Sequence, residues 1–254
     1  MEPLVIRPSL YVLPFPVGQA YLWCDGEGRD AGLTLVDTGP PGSASEVEDA
    51  IRRTGADPGA LRRIVLTHFH PDHAGSTAEL AARHGAEVIA HQLDAPVVRG
   101  EASAPPPDFR DAPEWERDLF DQVHEPFGIT SDAPAVPPAR PSPVDTEVTE
   151  GNRVEFGGGA MVLSVPGHTE GSIALLLPEH GTLFTGDTVA RVGGEPAPGV
   201  FHQDRTSALA SFRRLCALSS GDAPSAVETV CFGHGEPLPR GGGETLARAG
   251  AAYS

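Results

Sequence analysis

The stretch Thr67-His68-Phe69-His70-Pro71-Asp72-His73-Ala74-Gly75 constrains this chain most, because it crowds three imidazoles and a carboxylate into six residues. The apolar run Leu61 to Leu66 ahead of it predicts a buried strand, and Ser76 to His84 behind it predicts a helix. The cluster therefore sits on a strand-to-helix turn, where rigid scaffolds present chemistry. His68 and His70 are two apart and point the same way from an extended segment, while Asp72 and His73 begin the turn and face the cavity from another side. Four such groups together read as a metal site, and their geometry suits two adjacent metals better than one.

His68-x-His70-x-Asp72-His73 resembles the signature of the metallo-β-lactamase-fold hydrolase superfamily. Three later residues follow in the order of that pattern: His168 in Pro166-Gly167-His168-Thr169, Asp187 in Gly186-Asp187-Thr188 and His234 in Gly233-His234-Gly235. Each ends a predicted strand beside glycine, which permits close backbone approach; taken alone, each reads as a turn residue. The resemblance implies that His68, His70 and His168 hold one metal, that Asp72, His73 and His234 hold a second, and that Asp187 bridges both. It implies two zinc ions, with iron or manganese as alternatives. The reaction expected is attack on a carbonyl carbon by a hydroxide shared between the metals, with Asp72 also the catalytic group that orients it. Asp37, in Val36-Asp37-Thr38-Gly39, reads either as a strand-end turn or as an acceptor fixing a ligand imidazole. An aspartate at this place is typical of the family, which favours the acceptor.

Short apolar runs predict strands at Leu10 to Leu13, Ala20 to Cys24, Leu33 to Val36, Ala86 to Ala90, Val154 to Phe156, Ala160 to Val165, Ile173 to Leu177, Thr182 to Thr185 and Val227 to Phe232. A capping box at Ser45 and Glu48 predicts a short helix to Arg53, and Asp204 predicts a cap for a helix over Thr206 to Leu218. A last short helix is expected from about Glu244. Both halves thus run from strands to helix, which predicts an α+β fold: a four-layer αββα sandwich of two mixed sheets with outer helices. The metallo-β-lactamase fold implied by the resemblance is the same. We expect one domain over residues 1–254 with a proline-rich insert at about 99–146. One helix near Glu114 to Val123 and the aromatics Phe109, Trp115, Phe120 and Phe127 suggest a substrate-covering lid.

All 18 basic residues are arginine, and 35 acidic ones leave a formal charge of −17. That field repels phosphate backbones and argues against a nucleic-acid partner. Cys24, Cys216 and Cys231 are odd in number and far apart, which implies neither a disulfide framework nor a thiolate metal site. With no signal-peptide pattern and no apolar run of membrane-spanning length, a cytoplasmic enzyme of small molecules is expected. Exposed insert aromatics would allow a homodimer.

The resemblance leaves the substrate open. N-acyl-homoserine lactonases usually carry a tyrosine shortly after the bridging aspartate, where this chain has Thr188-Val189-Ala190-Arg191. Glyoxalase II relatives have a basic helical C-terminal region, where this chain has a short Ala/Gly/Arg tail. The reading that remains is a hydrolase of an ester, thioester or lactone with an apolar acyl part. Its alternatives are a β-lactamase and a mononuclear iron persulfide dioxygenase. Tyr21, Phe201, His202, Trp115 and Phe120 are expected near the mouth of the pocket.

Overall fold

Successive side chains of each strand point to opposite faces, and both faces of the central strands are buried. The computed structural model describes residues 1–26, 32–218 and 227–253. In chain order its strands and helices are β1 Leu4–Arg7, β2 Leu10–Pro14, β3 Gln19–Asp25, β4 Gly32–Val36, α1 Ala44–Arg53, β5 Leu61–Val65, α2 Pro71–Ala74, α3 Thr77–His84, β6 Glu87–His91 and α4 Ala95–Val98. There follow α5 Glu114–His124, β7 Thr146–Val148, β8 Arg153–Val154, β9 Ala160–Ser164, β10 Ile173–Leu177, β11 Thr182–Phe184, β12 Val189–Val192, β13 Glu195–Pro198, α6 Arg205–Leu218, β14 Thr229–Cys231 and α7 Gly242–Ala252.

Strands β1 to β7 form one sheet in sequence order, antiparallel through β4 and parallel from β4 to β7. A second sheet runs β14-β11-β10-β9-β8, with β14 parallel to β11. The alternation sorts the side chains into three cores. Val12, Tyr21, Trp23, Val65 and Ile89 face Val162, Leu175, Leu177 and Phe184 between the sheets. Leu22, Leu35, Ile64 and Val88 point the other way, onto Val47 and Ile51 of α1 and Leu80 of α3. Leu163, Leu176 and Val230 pack outward on Phe212 and Leu215 of α6 and Leu246 of α7. The result is the expected αββα sandwich with two mixed sheets.

Several details differ from the expectation. Helix α1 starts at Ala44 with Ser43 at its cap, so Ser45 and Glu48 form no capping box. Instead the Arg83 guanidinium on α3 donates to both; a tertiary partner displaced the local one. The helix expected from Ser76 is preceded by the one-turn α2, begun by Pro71, whose fixed φ suits a first helical position. The edge strand β1 and the small β12–β13 sheet were not anticipated, because exposed Val5 and Val192 and the prolines of Glu195–Pro198 blur a period-two pattern. Among the described residues no helix is long and apolar enough to cross a membrane.

Candidate metal centre

The site is assembled from strand ends that share one rim. Parallel pairing of Leu35 with Ile64 and Val36 with Val65 makes β4 and β5 end together, so Asp37 and the Thr67–His68 segment leave the first sheet side by side. Strands β11 and β14, also parallel, deliver Asp187 and His234 from the second sheet. The turn between β9 and β10 supplies His168, and Ile173 N–H donates to the Thr67 carbonyl at 2.9 Å to join the two rims. His70 is still extended, with ψ 149°, while Asp72 and His73 lie on the first turn of α2.

Three trios of donor atoms result, each within 4.8 Å of one another: His68, His70 and His168; His68, His73 and Asp187; Asp72, His73 and His234. Asp187 faces both sides, with Oδ2 3.5 Å from His168 Nε2 and 3.2 Å from His234 Nε2, and Oδ1 3.2 Å from His73 Nε2. Asp72 Oδ2 lies 3.3 Å from His234 Nε2 and 3.4 Å from His73 Nε2. All seven residues expected from the sequence as ligands therefore meet.

Hydrogen bonds outside the trios aim three of the rings. Thr67 Oγ1 donates to Asp37 Oδ2 at 2.8 Å, so its oxygen accepts from His68 Nδ1 at 3.0 Å. His73 Nδ1–H donates to Asp37 Oδ2 at 2.8 Å, and His168 Nδ1–H donates to the Val200 carbonyl at 3.0 Å. Each Nε2 then points inward. Asp37 performs this duty from a left-handed backbone, φ 63°, that costs on the order of 1–3 kcal/mol in a non-glycine residue. The acceptor reading of Asp37 matches this placement.

Charge divides the site into two halves. Burial and the neighbouring His73 push His68 well below the ordinary imidazole range, and burial with His70 does the same to His168. Burial takes His70 down to about 4. In the other half Asp187 raises His234 to about 10. Burial works against His73, yet Asp187, Asp72 and Asp37 outweigh it and hold that ring well above its usual range. One half thus disfavours the charged imidazole, with His168 Nε2 2.9 Å from His70 Nδ1, and the other favours it.

His68 Nε2 is buried with no hydrogen-bond partner among the described residues, and Asp187 Oδ1, which makes no hydrogen bond there either, has the His73 ring 3.2 Å away. Leaving such acceptors unmatched costs on the order of 1–3 kcal/mol each. Divalent cations at the trios would satisfy them, and the imidazole and carboxylate donors fit zinc, iron or manganese.

The other expected residues are dispersed. His202 is 3% exposed, its ring 5.8 Å from that of His168, and its Nδ1 has no partner among the described residues. Phe201 and Phe120 pack edge to face, centroids 5.1 Å apart, with Phe109 beside both. Trp115 is 57% exposed on α5. Tyr21 lies in the inter-sheet core, where its hydroxyl and Gln19 Nε2 each donate to the Phe232 carbonyl at 2.7 Å. It therefore braces the strand end that carries His234. The sequence reading passed over Thr67, Gln19, Asp94 and Glu116. Asp94 accepts from Thr169 Oγ1 and Gly171 N–H, both at 2.8 Å, and so ties down the His168 turn. The signal for Glu116 was its place on one helical stripe with Phe120 and His124, where an acid is out of keeping.

Fold and donor set define a metallo-hydrolase scaffold with a candidate metal site of His and Asp residues. The sequence model of the Metallo-beta-lactamase superfamily matches residues 18–234, and the chain belongs to that family. It is 28% identical over 227 residues to the probable metallo-hydrolase YflN of Bacillus subtilis, covering 81% of this chain and 76% of that one. It is 32% identical over 222 residues to the hydroxyacylglutathione hydrolase of Cupriavidus metallidurans, covering 82% of this chain and 66% of that one. Among solved structures, the subclass B3 metallo-beta-lactamase BJP-1 of Bradyrhizobium japonicum superposes with a TM-score of 0.65 at 19% identity, covering 100% and 90% of the two chains. TTHA1623 in a di-iron-bound form gives 0.59 at 27%, covering 94% and 96%.

Proposed function

We propose that this chain hydrolyses an ester, thioester or lactone with an apolar acyl part, using two zinc ions. His68, His70 and His168 would hold one ion and Asp72, His73 and His234 the other, with Asp187 facing both. Such ions, when bound, polarise a carbonyl and bring the acidity of water near neutrality. Asp72, with one oxygen toward His234 and His73, would hold the attacking water in orientation. His202 is a polar group beside His168 for the substrate carbonyl or leaving group. Phe201, backed by the buried Phe120, offers the acyl part an apolar wall, with the insert over residues 99–146 as its cover and Trp115 on the outer side. The exposed face of Trp115 and Phe127 is where a homodimer would form. The widely spaced cysteines fit a cytoplasmic site of action.

The observation that carries this reading is the three overlapping donor trios contributed by His68, His70, Asp72, His73, His168, Asp187 and His234, more ligands than one tetrahedral ion takes. The hydroxyacylglutathione hydrolase among the relatives supports the thioester side. A β-lactam is the second reading, because a B3 enzyme shares the fold; iron in place of zinc takes support from the di-iron neighbour. The test is metal content of the purified chain together with turnover of thioester, lactone and β-lactam panels. Two ions per chain, with hydrolysis lost on chelation and restored by zinc, is the expected result. A single iron that is indifferent to His234→Ala and supports sulfur oxidation would overturn it.

A further inference from the structure

Glu116 lies on α5 of the insert, yet it is 1% exposed. Its Oε1 accepts from Phe201 N–H at 2.7 Å, and its Oε2 accepts from the Arg205 guanidinium. Phe201 is left-handed, φ 59°, a conformation that persists in an aromatic residue only where its surroundings over-determine it. Phe109 and Phe120 of the insert hold the ring, and Glu116 holds the amide. A carboxylate makes that amide bond stronger than a neutral acceptor would.

The consequence follows from peptide planarity. The Phe201 N–H and the Val200 carbonyl belong to one rigid unit. Glu116 grips its nitrogen side, and His168 Nδ1–H donates to its oxygen side at 3.0 Å. Rotation of this single peptide would carry the acceptor away from His168. Neighbouring bonds stitch the two segments to each other, Gln203 N–H to the His168 carbonyl at 3.2 Å and Asp204 N–H to the Gly167 carbonyl at 2.9 Å, and Asp108 N–H, donating to the His202 carbonyl at 2.8 Å, ties them to the insert.

We propose that Glu116 is a positioning residue for the His68–His70–His168 site, holding the Val200–Phe201 peptide so that His168 keeps its inward lone pair. The insert is then a structural part of the metal centre at its root. The proposal rests on reading those three imidazoles as a metal site.

The test is Zn²⁺ affinity by competition with a chromophoric chelator, for wild type, Glu116→Ala, Glu116→Gln and the exposed control Glu114→Ala. In Glu116→Ala one of two ions should bind about tenfold more weakly and the other little changed, the size expected for loss of a group that orients a ligand. Glu116→Gln, whose amide oxygen still accepts from Phe201, should regain most of that loss. In the Co²⁺-substituted protein the visible absorption should shift in Glu116→Ala alone. Reciprocity supplies a measurement without variants: loading wild type with Zn²⁺ should slow amide exchange over residues 199–205 and in α5, and this decides the matter if Glu116→Ala does not fold. Folded Glu116→Ala with wild-type affinity for both ions would overturn the proposal, as would exchange unchanged by metal. Wild type that binds no Zn²⁺ would overturn the metal reading itself.

Discussion

At the scale of single residues, Asp37 concentrates the most consequence. It orients His73 directly and His68 through Thr67. Asparagine tolerates the same left-handed backbone, so Asp37→Asn changes charge without adding strain. It should weaken both ions, tenfold to a hundredfold at the His73 site that it touches directly, read by chelator competition. Gly233 is held by space: a Cβ there would lie 1.9 Å from Asp187 Oδ1. Gly233→Ala should therefore lose metal and hydrolysis together while circular dichroism stays native. Burial raises the Asp94 carboxyl to about 6, above its ordinary 3.8. The fold favours the protonated acid, so this contribution is fully present below about pH 4 and is lost as pH rises through about 6. Urea unfolding at pH 4 and 7 should show wild type losing on the order of 2–3 kcal/mol relative to Asp94→Asn over that range.

Among the elements, α6 shows a local signal that held. Asp204 Oδ1 accepts from Ser207 N–H at 3.0 Å and Oδ2 from its hydroxyl at 2.7 Å, the cap expected from the sequence. Asp204→Ala should cost about 1 kcal/mol, measured as a lower midpoint in denaturant. Helix α1 shows the opposite case: Ser45 and Glu48 have capping-box spacing, yet Arg83 engages both from 35 or more residues away. Strands β3 and β10 were legible because two-sided burial demands unbroken apolar runs. Strands β1 and β13 were not, because an exposed edge places little demand on its residues.

For the whole molecule, metal and fold are coupled. Ions bound only by the native state add stability of about 2.7 kcal/mol at a hundredfold excess over Kd. Stripping them should lower the melting midpoint by about 5–10 °C per ion for a domain of this size, and zinc should restore it in a scan with added metal. Without ions, His73 and His234 offset the carboxylates of Asp37, Asp72 and Asp187, a charge balance that bound ions would take over.

The sequence by itself determined the donors, because His68, His70, Asp72 and His73 are neighbours in the chain and the strand and helix around them are set by local periodicity. It also marked His168, Asp187 and His234 as strand-end residues beside glycine. Only the tertiary structure decided which atoms those donors face and what holds them: Asp37 against His73, Phe232 against Tyr21, Val200 against His168, Glu116 against Phe201. Each of these bonds joins residues more than thirty positions apart. A buried polar group takes its partner from whatever strand pairing and layer packing bring within reach, and no local pattern in the chain records that choice.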